Sequence, residues 1–536
     1  MQTKKMISLL MACTLAFSAC ASQSASKATS VSAAAAPATV ATEGQPFLIS
    51  KEPLELTAHL HYKNAYVLSD EWTVEKKAAE MTNVSLKGTA SPMETDSTQA
   101  FNLMIASKKI PDLVGGQRNE INKYGMEGAF VPLNDLIEEH APNFKAFLQQ
   151  NPQVKAALTA ADGNIYQVPY VFDSRISEAW FIRQDWLDNL GLAVPTTVNE
   201  LHDVLAAFVN EDANGNGKKD EIGLITKRGG ANENKLESLL SLFGINDYWH
   251  INKAGKVAIG LYTPEYQQAV KSISAWYAEK LIDPEIFTRG TKSASELFPE
   301  DNGGVLHYWI ASTANYNRTI PESVPGFKLV GMLPPVDSNG DQWEFAARDV
   351  LPGNGWAISN SNQHPVESME YMDFWWSEEG RRLMVYGIEG DTYTMVDGKP
   401  QYTDKVLKAS SAVNDVMRKM GGQIDDMGYL HNTQYELDTM HELGTKVYHE
   451  YEKAGVVDKI NQKIPALSFT EEELDIITAK YPACRTYMLE QFQKWVMDGS
   501  NIDTEFAGYM EMLNSMGMDK IVEIYQTAYD RLQTKK

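Results

Sequence analysis

Cysteine is scarce in this chain, which has three among its 536 residues. Cys13 and Cys20 lie in an apolar N-terminal stretch, so Cys484 is the one thiol that remains for the folded part. A single thiol cannot form a disulfide within one chain. We therefore expect the fold to be stable without disulfides, even in an oxidising compartment.

Catalytic motifs are lacking as well. The sequence contains no GxSxG elbow, no HExxH pair and no Walker loop, and no cysteine stands in company with a histidine and a polar partner. His59 and His61 share one face of a predicted strand and could ligate a metal, although a polar strand face is the commoner arrangement. These absences favour a protein that is not an enzyme.

Positive charge is in deficit. Lys and Arg number 48 against 71 Asp and Glu, and the net charge is −23. A surface of this sign argues against a nucleic-acid partner, because binding to phosphates needs basic groups. It also weighs against an anionic ligand, although a local basic cleft can override the overall field.

Long hydrophobic runs are confined to residues 6–19, a stretch too short to span a bilayer. Lys4 and Lys5 precede the run, and small residues lead to Cys20 in an order that resembles a bacterial lipobox. We predict a lipoprotein signal peptide over residues 1–20 and lipidation of Cys20. Residues 21–48, rich in Ser and Ala, then form a flexible tether. The protein is expected on the extracytoplasmic face of the cell membrane.

A polar loop at residues 212–221 is the most specific motif. Oxygen-bearing side chains alternate from Asp212 onward, as a calcium site requires. Position twelve of the loop, where an EF-hand has its bidentate Glu, is Gly223, and the carboxylates come earlier. The alternative is a polar turn between a helix and a strand. The predicted structural Ca²⁺ ligands are Asp212, Asn214, Asn216, Asp220 and Glu221 through their side chains and Lys218 through its carbonyl.

The order of elements predicts an α/β fold. Apolar residues alternate over residues 54–61, and strand, helix, strand, helix, strand follow up to residue 114, which implies a parallel sheet. Ligands bind at the carboxyl ends of such strands, so residues 62–66 and 115–118 are candidate cleft lining. Residues 133–158 read as two short helices. Residues 366–536 read as mainly helical, with a hairpin turn at residues 396–398.

Aromatic side chains make up 10% of the chain. Their flat faces can stack on the CH faces of sugar rings, while polar groups pair with the sugar hydroxyls. Each ring alone is as consistent with a core position as with ligand contact. The aromatic residues at predicted strand ends and in loops are Tyr62, Tyr66, Tyr170, Trp180, Trp309, Trp343 and Tyr429.

Several segments resemble the extracellular solute-binding lipoproteins of carbohydrate ABC importers, above all the alginate-oligosaccharide-binding subgroup. The matching text comprises the polar loop and residues 101–107, 124–130, 181–188, 282–289 and 528–531. The resemblance implies a type II periplasmic-binding-protein fold, in which two α/β lobes joined by three crossings close on a ligand. It places lobe 1 at residues 49–168 and 334–376, and lobe 2, with the calcium loop, at residues 169–333 and 377–536.

The resemblance also implies a function. The chain is expected to be a monomeric, non-catalytic receptor that passes an oligosaccharide to permease subunits, with uronate-containing glycans among the candidates. Trp309 matches a stacking tryptophan, Arg348 a carboxylate-binding arginine and Tyr170 a cleft tyrosine. Ala65 and Leu430 depart from the alginate binders, which have a basic and an aromatic residue there. The alternatives are a surface lyase or glycosidase, with Arg348 and Tyr170 as a lyase pair, and a ligand sensor for a membrane kinase.

Overall fold

A computed structural model describes residues 47–226, 237–289, 293–409, 413–499 and 501–534. The signal peptide, Cys13, Cys20 and residues 21–46 of the tether lie outside the described residues. The lipidation site therefore stays a prediction.

The strands are β1 (Leu54–His59), β2 (His61–Tyr62), β3 (Tyr66–Val67), β4 (Val84–Gly88), β5 (Leu113–Gln117), β6 (Val168–Pro169), β7 (Val171–Phe172), β8 (Glu178–Arg183), β9 (Leu224–Ile225), β10 (Trp249–Ile251), β11 (Val257–Ile259), β12 (Val305–Trp309), β13 (Leu329–Met332), β14 (Asn354–Ile358), β15 (Tyr393–Val396), β16 (Lys399–Tyr402), β17 (Leu430–His431) and β18 (Gln462–Lys463).

The helices are α1 (Thr73–Thr82), α2 (Ser97–Ser107), α3 (Arg118–Met126), α4 (Asn134–His140), α5 (Pro142–Gln150), α6 (Pro152–Leu158), α7 (Gln184–Leu190), α8 (Val198–Asn210), α9 (Glu237–Leu240), α10 (Tyr266–Ala278), α11 (Ser293–Leu297), α12 (Ile310–Ala314), α13 (Tyr316–Thr319), α14 (Pro365–Phe374), α15 (Glu378–Tyr386), α16 (Asp404–Leu407), α17 (Val413–Lys419), α18 (Thr433–Leu437), α19 (Glu442–Ala454), α20 (Glu471–Asp498), α21 (Ile502–Met516) and α22 (Met518–Thr534).

A five-stranded sheet in the order β4-β1-β5-β14-β6 forms the centre of the first lobe. Strands β1, β4 and β5 are parallel, as the strand-helix alternation predicts, whereas β14 pairs antiparallel with both β5 and β6. Neighbouring residues of one strand enter different clusters, with Leu113 on one face and Val114 on the other. Both faces are thus covered, as expected for parallel strands.

The second lobe contains a four-stranded sheet in the order β13-β8-β12-β9. Strand β8 is buried over its whole length, and Trp180 and Phe181 enter cores on opposite faces of the sheet. Helices α10, α20, α21 and α22 pack together on the Trp180 face. The long C-terminal helices therefore complete the core of the second lobe.

Two local predictions differ from the structure. Residues 133–158 form three helices, because Pro142 and Pro152 each open a new helix where two were expected. Strand β5 continues through Gly115 and Gly116 to Gln117, although the strand was expected to end at the two glycines. A Cβ on Gly115 would lie 2.9 Å from the Cβ of Asp426, so glycine there permits a close approach of another segment.

Residues 383–430 pack differently from the predicted division. Their buried side chains, from Leu383 to Leu430, belong to the core of the first lobe, although residues 377–536 were assigned as a block to lobe 2. Amphipathic spacing shows that a helix has a buried face but does not say which sheet covers that face. The other domain bounds stay predictions.

Three segments connect the lobes: residues 170–177, 333–353 and 432–441. Their number agrees with the three expected crossings. Two of them meet side by side, since β7 follows the first sheet and pairs in parallel with β17, just before the last crossing. No helix in the described ranges has the length and apolar character needed to cross a membrane.

Candidate functional site

A pocket of about 260 Å³ opens at the carboxyl ends of β1 and β5 in the first lobe. Both segments predicted as cleft lining contribute to it, through Tyr62, Lys63 and Asn64 on one side and residues 115–117 on the other. Asn354 and Asp426 complete one wall, and Asp426 accepts a hydrogen bond from Asn354 Nδ2 at 2.7 Å. Strand ends of an α/β sheet thus form a concave polar surface.

Tyr62 and Tyr66 lie beside this pocket on the small β2–β3 hairpin, with ring centroids 6.3 Å apart. The Tyr62 hydroxyl donates to Asp425, and the Tyr66 hydroxyl donates to Asp415 at 2.9 Å. Burial and the Asp425 carboxylate raise the pKa of Tyr62, so the phenol stays protonated. The Arg418 guanidinium lies 5.5 Å from the Tyr62 ring.

Tyr170 and Tyr429 are brought together where the first crossing meets β17. Their ring centroids are 4.8 Å apart, and Tyr170 lies at the same distance from Phe172. Phe172 in turn lies 5.0 Å from the ring of His431. Tyr170 and Tyr429 are buried, so they form a packed aromatic floor and present little ring surface to solvent.

Trp309 and Arg348 meet at the opposite end of this floor. Trp309 ends β12 of the second lobe and is half-buried, and the Arg348 guanidinium lies 5.2 Å from its ring and 3.9 Å from the ring of Phe172. Arg348 therefore contacts one ring of the first crossing and one ring of the second lobe. Such contacts suit guanidinium, which stacks on aromatic faces.

The charge of Arg348 is already balanced. Its two terminal nitrogens donate to the Glu436 carboxylate at 2.8 and 3.1 Å, and His431 Nε2 lies 3.3 Å from the same carboxylate. Burial alone would raise the pKa of Glu436, but Arg348 and His431 hold it below its usual range. Burial opposes the charge of Arg348 in the same way, and Glu436 raises its pKa nonetheless. Both groups are therefore charged and paired.

Trp180 and Trp343 lie apart from the other predicted contacts. Trp180 is fully buried in the second lobe, 4.8 Å from the ring of His307. Trp343 is also buried, and its Nε1 donates to Asp337 at 3.0 Å. Neither ring has a face open to a ligand, because both are covered by protein. They were predicted as ligand contacts because the sequence around a tryptophan does not distinguish a core position from a cleft position.

Sequence reasoning missed several residues of the site, one aromatic and four polar. Asp425 and Arg418 flank Tyr62, while Phe172, His431 and Glu436 surround Arg348. Phe172 and His431 each stand two residues from a predicted tyrosine, and this proximity was a usable signal. Nothing in the local sequence around Arg418 or Glu436 indicates that they face the site.

The polar loop at residues 212–221 lies in the second lobe, after α8. Its side-chain oxygens accept from the loop backbone: Asp212 from Gly217 N at 2.9 Å, Asn214 from Asn216 N at 3.0 Å and Asn216 from Lys218 N at 2.7 Å. Such bonds turn the oxygens inward. Gly215 and Gly217 have φ of 73° and 84°, a conformation that favours glycine.

The donor set of the loop fits a hard cation. One oxygen each of Asp212 and Glu221 is buried without a hydrogen-bond partner among the described residues. Buried carboxylate oxygens are normally paired, and a bound cation would supply the missing partner. A search of the described residues for three or more His, Cys, Asp or Glu side chains able to hold a metal found no such group. Calcium also takes amide and backbone oxygens, which is the kind of set predicted here.

Comparison with known proteins finds relatives that are named as carbohydrate-binding proteins. The alginate-binding protein AlgQ2, in a crystal structure without calcium ion, is 34% identical to this chain, with a TM-score of 0.78 over 91% of this chain and all of AlgQ2. The fructooligosaccharide ABC transporter substrate-binding protein FusA of Streptococcus pneumoniae serotype 4 is 25% identical over 83% of this chain and 84% of its own length. The polygalacturonan/rhamnogalacturonan-binding protein YtcQ of Bacillus subtilis is 22% identical over 85% and 87% of the two chains.

The likeness to AlgQ2 confirms the expected two-lobed type II binding-protein fold. A family model matches residues 77–382, which is more than half of the chain. This range contains the four-stranded sheet, every strand of the five-stranded sheet except β1, and the residues from Tyr170 to Arg348. The chain belongs to the bacterial extracellular solute-binding proteins.

Proposed function

We propose that this protein is the substrate-binding component of an ABC importer, which captures an oligosaccharide between its lobes and delivers it to the permease. Membership of the solute-binding family supports this role. So do relatives whose names specify fructooligosaccharide, polygalacturonan and alginate. The protein acts as a receptor and leaves the sugar chemically unchanged.

The observation that carries the proposal is the meeting of Phe172 and Trp309 at Arg348. Phe172 belongs to a crossing packed on the first lobe, and Trp309 ends a strand of the second. A half-buried ring at the end of a strand can stack on a sugar, whose hydroxyls would find polar partners in the pocket next to Tyr62. The ligand would thereby contact both lobes.

Closure follows from this placement. A ligand that touches both lobes makes more contacts in the closed state than in the open one, and this difference shifts the population toward closure. The three crossings are the segments that absorb the change in backbone angles, as in other hinge motions. The buried floor of Tyr170 and Tyr429 would stay packed while the rings at its ends approach each other.

The experiment is isothermal titration calorimetry of the purified protein against fructans, glucans, mannans and oligouronates. We expect a Kd in the micromolar range or below for at least one of them, which corresponds to about −8 kcal/mol or better. Chromatography after long incubation should recover the sugar intact. Failure of the whole panel to bind would contradict the oligosaccharide assignment, and shortened or unsaturated products would indicate a lyase or glycosidase.

Three further parts of the proposal concern the cofactor, the attachment to the membrane and the role in uptake. Ca²⁺ occupies the loop at residues 212–221 as a structural ion, supported by the two unpartnered carboxylate oxygens. Cys20 carries a lipid that holds the protein at the cell membrane as a monomer. Metabolic labelling with a radioactive fatty acid should mark the wild type but not Cys20→Ala.

Deletion of the gene should abolish uptake of the sugar found by calorimetry. Intact uptake in the deletion strain would favour a ligand sensor.

A further inference from the structure

The cations of the site are matched or outnumbered by carboxylates. Arg348, the side chain predicted to bind a ligand carboxylate, instead holds both oxygens of Glu436. A uronate that approached Arg348 would have to displace Glu436 and leave that largely buried carboxylate without its counter-ion. Breaking a buried pair in this way is strongly unfavourable.

Arg418 is balanced as well. Its side chain is only 11% exposed, and its guanidinium lies 3.7 Å from Asp415. Asp425, which accepts from the Tyr62 hydroxyl, faces the same guanidinium and helps to raise its pKa although burial acts to lower it. Arg418 therefore supports the tyrosines and offers little free positive charge.

The pocket in the first lobe has no excess of positively charged groups. Among the described residues that line it, Lys63 is the one lysine or arginine, whereas Glu120 and Asp426 are both carboxylic acids. The Lys63 ammonium lies 5.0 Å from the Tyr62 ring. Partial desolvation lowers the pKa of Lys63 and the Asp425 carboxylate acts in the opposite direction, although the residue as a whole is exposed. Burial raises the pKa of Asp426 to about 7 and also raises that of Glu120, so both acids are partly protonated near neutral pH. The pocket therefore offers an incoming anion no excess of positive charge.

The same pocket offers uncharged hydrogen-bonding groups. His59 is 4% exposed, and its Nε2 has no hydrogen-bond partner among the described residues. Burial and the neighbouring His61 lower the pKa of His59 to about 4, so the imidazole is neutral at pH 7. A neutral imidazole nitrogen can exchange a hydrogen bond with a sugar hydroxyl. Asn354 and Gln117 add amide groups to the lining.

We infer that the ligand is an oligosaccharide without carboxylates, and that the first-lobe pocket receives a neutral, hydroxyl-rich sugar unit beside His59. This inference rests on the proposed function and narrows it. The inferred ligand differs in charge from that of the alginate-binding relative. The reason is that Arg348 is already paired with Glu436, a carboxylate of the protein itself.

The test compares length-matched neutral oligosaccharides with oligoalginate and oligogalacturonate by calorimetry at low and moderate NaCl. We expect the best neutral sugar to bind more than tenfold tighter than any uronate, with an affinity that salt leaves unchanged. A uronate that binds within tenfold of the best neutral sugar, or tighter, overturns the inference while leaving the oligosaccharide function intact. If neither class binds, both the inference and the function fail.

Two variants test whether the carboxylates of the site are the reason that uronates bind weakly. Glu436→Gln frees Arg348, and Glu120→Gln removes an acid from the pocket wall; each should raise the ratio of uronate to neutral affinity at least tenfold. Glu442→Gln, which removes the same charge from an exposed position nearby, should leave the ratio at the wild-type value. A ratio unchanged in both site variants would show that these carboxylates do not exclude uronates and would overturn the inference.

Discussion

The predicted calcium loop and the proposed sugar cleft are built in opposite ways. Every predicted ligand of the loop lies within residues 212–221, and its side chains bond to backbone groups a few residues away, such as Asp212 to Gly217 N at 2.9 Å. In the cleft, Tyr62 bonds to Asp425, 363 positions later, and Arg348 to Glu436, 88 positions later. A local site can be read from a motif, whereas a site assembled from distant segments depends on the whole fold.

The largest expected effect is on the long-range pair of the cleft. Arg348→Met should lower the free energy of unfolding by about 3 kcal/mol, because the largely buried Glu436 carboxylate loses its counter-ion. Denaturant titration of the wild type and the variant measures the loss. Glu436→Gln should cost a similar amount, and the double variant should recover part of it. Costs below about 1 kcal/mol in both single variants would show that the pair does not stabilise the cleft.

Removal of calcium tests the local site. A chelator should lower the Tm of the wild type, since an ion present at 100 times its Kd contributes about 2.7 kcal/mol to stability. Asp212→Asn should show the lowered Tm already and respond no further to the chelator. Asp188→Asn, on the exposed surface of α7, is the matched control and should behave as wild type. Loss of sugar binding in Asp212→Asn at unchanged Tm would contradict a purely structural ion.

Asp426 tests how deeply the cleft is buried. Burial raises the pKa of this carboxyl from 3.8 to about 7. The ionised form is thus disfavoured in the folded protein but not in the unfolded chain, so the wild type loses stability as the pH rises from about 4 to about 7. Asp426→Asn does not titrate, and its stability relative to wild type should rise over that interval by about 2 kcal/mol, roughly half of what three pKa units imply.

The measurement is a series of urea titrations between pH 4 and pH 8. Asp397→Asn in the exposed β15–β16 turn serves as the control, and its difference from wild type should stay flat with pH. A flat difference for Asp426→Asn as well would mean that water reaches this carboxyl freely and that the cleft is more open than the structure shows.

The smallest expected effect concerns ligand stacking. Trp309→Ala should weaken binding of the preferred oligosaccharide about tenfold, or 1.4 kcal/mol, because a stacking surface is lost. Tyr308→Ala on the opposite face of β12 is the control, since neighbouring side chains of a strand point to opposite sides. Calorimetry with both variants measures whether the loss of affinity is specific to Trp309. Equal losses would indicate a general disturbance of the strand and not a contact of Trp309 with the sugar.

Much of the local structure could be predicted from the sequence. The alternation at residues 54–61 predicted β1, and the turn at residues 396–398 predicted the β15–β16 hairpin, in which Asp397 and Gly398 have positive φ. Trp309 was expected at the end of a strand and ends β12. These features succeed because each depends on side-chain period or backbone preference within a few residues.

Other features depended on partners that are remote in sequence. Trp180 reads as a cleft aromatic but is buried, because β8 is covered on both faces by the helices and strands of the second lobe. Arg348 was predicted to bind a ligand carboxylate but is paired with Glu436. The helices between residues 383 and 430 belong to the first lobe because their apolar faces meet its core.

The sequence by itself determined the class of the fold and the general kind of ligand, and it predicts the calcium-type loop and the export signal. All of these depend on composition, spacing or recognisable segments of chain. The tertiary structure alone decided which aromatic rings face the cleft, and which charges there are already balanced. The reason is electrostatic as well as geometric: a charge in a partly buried site acts on a ligand only as far as its neighbours leave it unpaired, and those neighbours come from other parts of the chain.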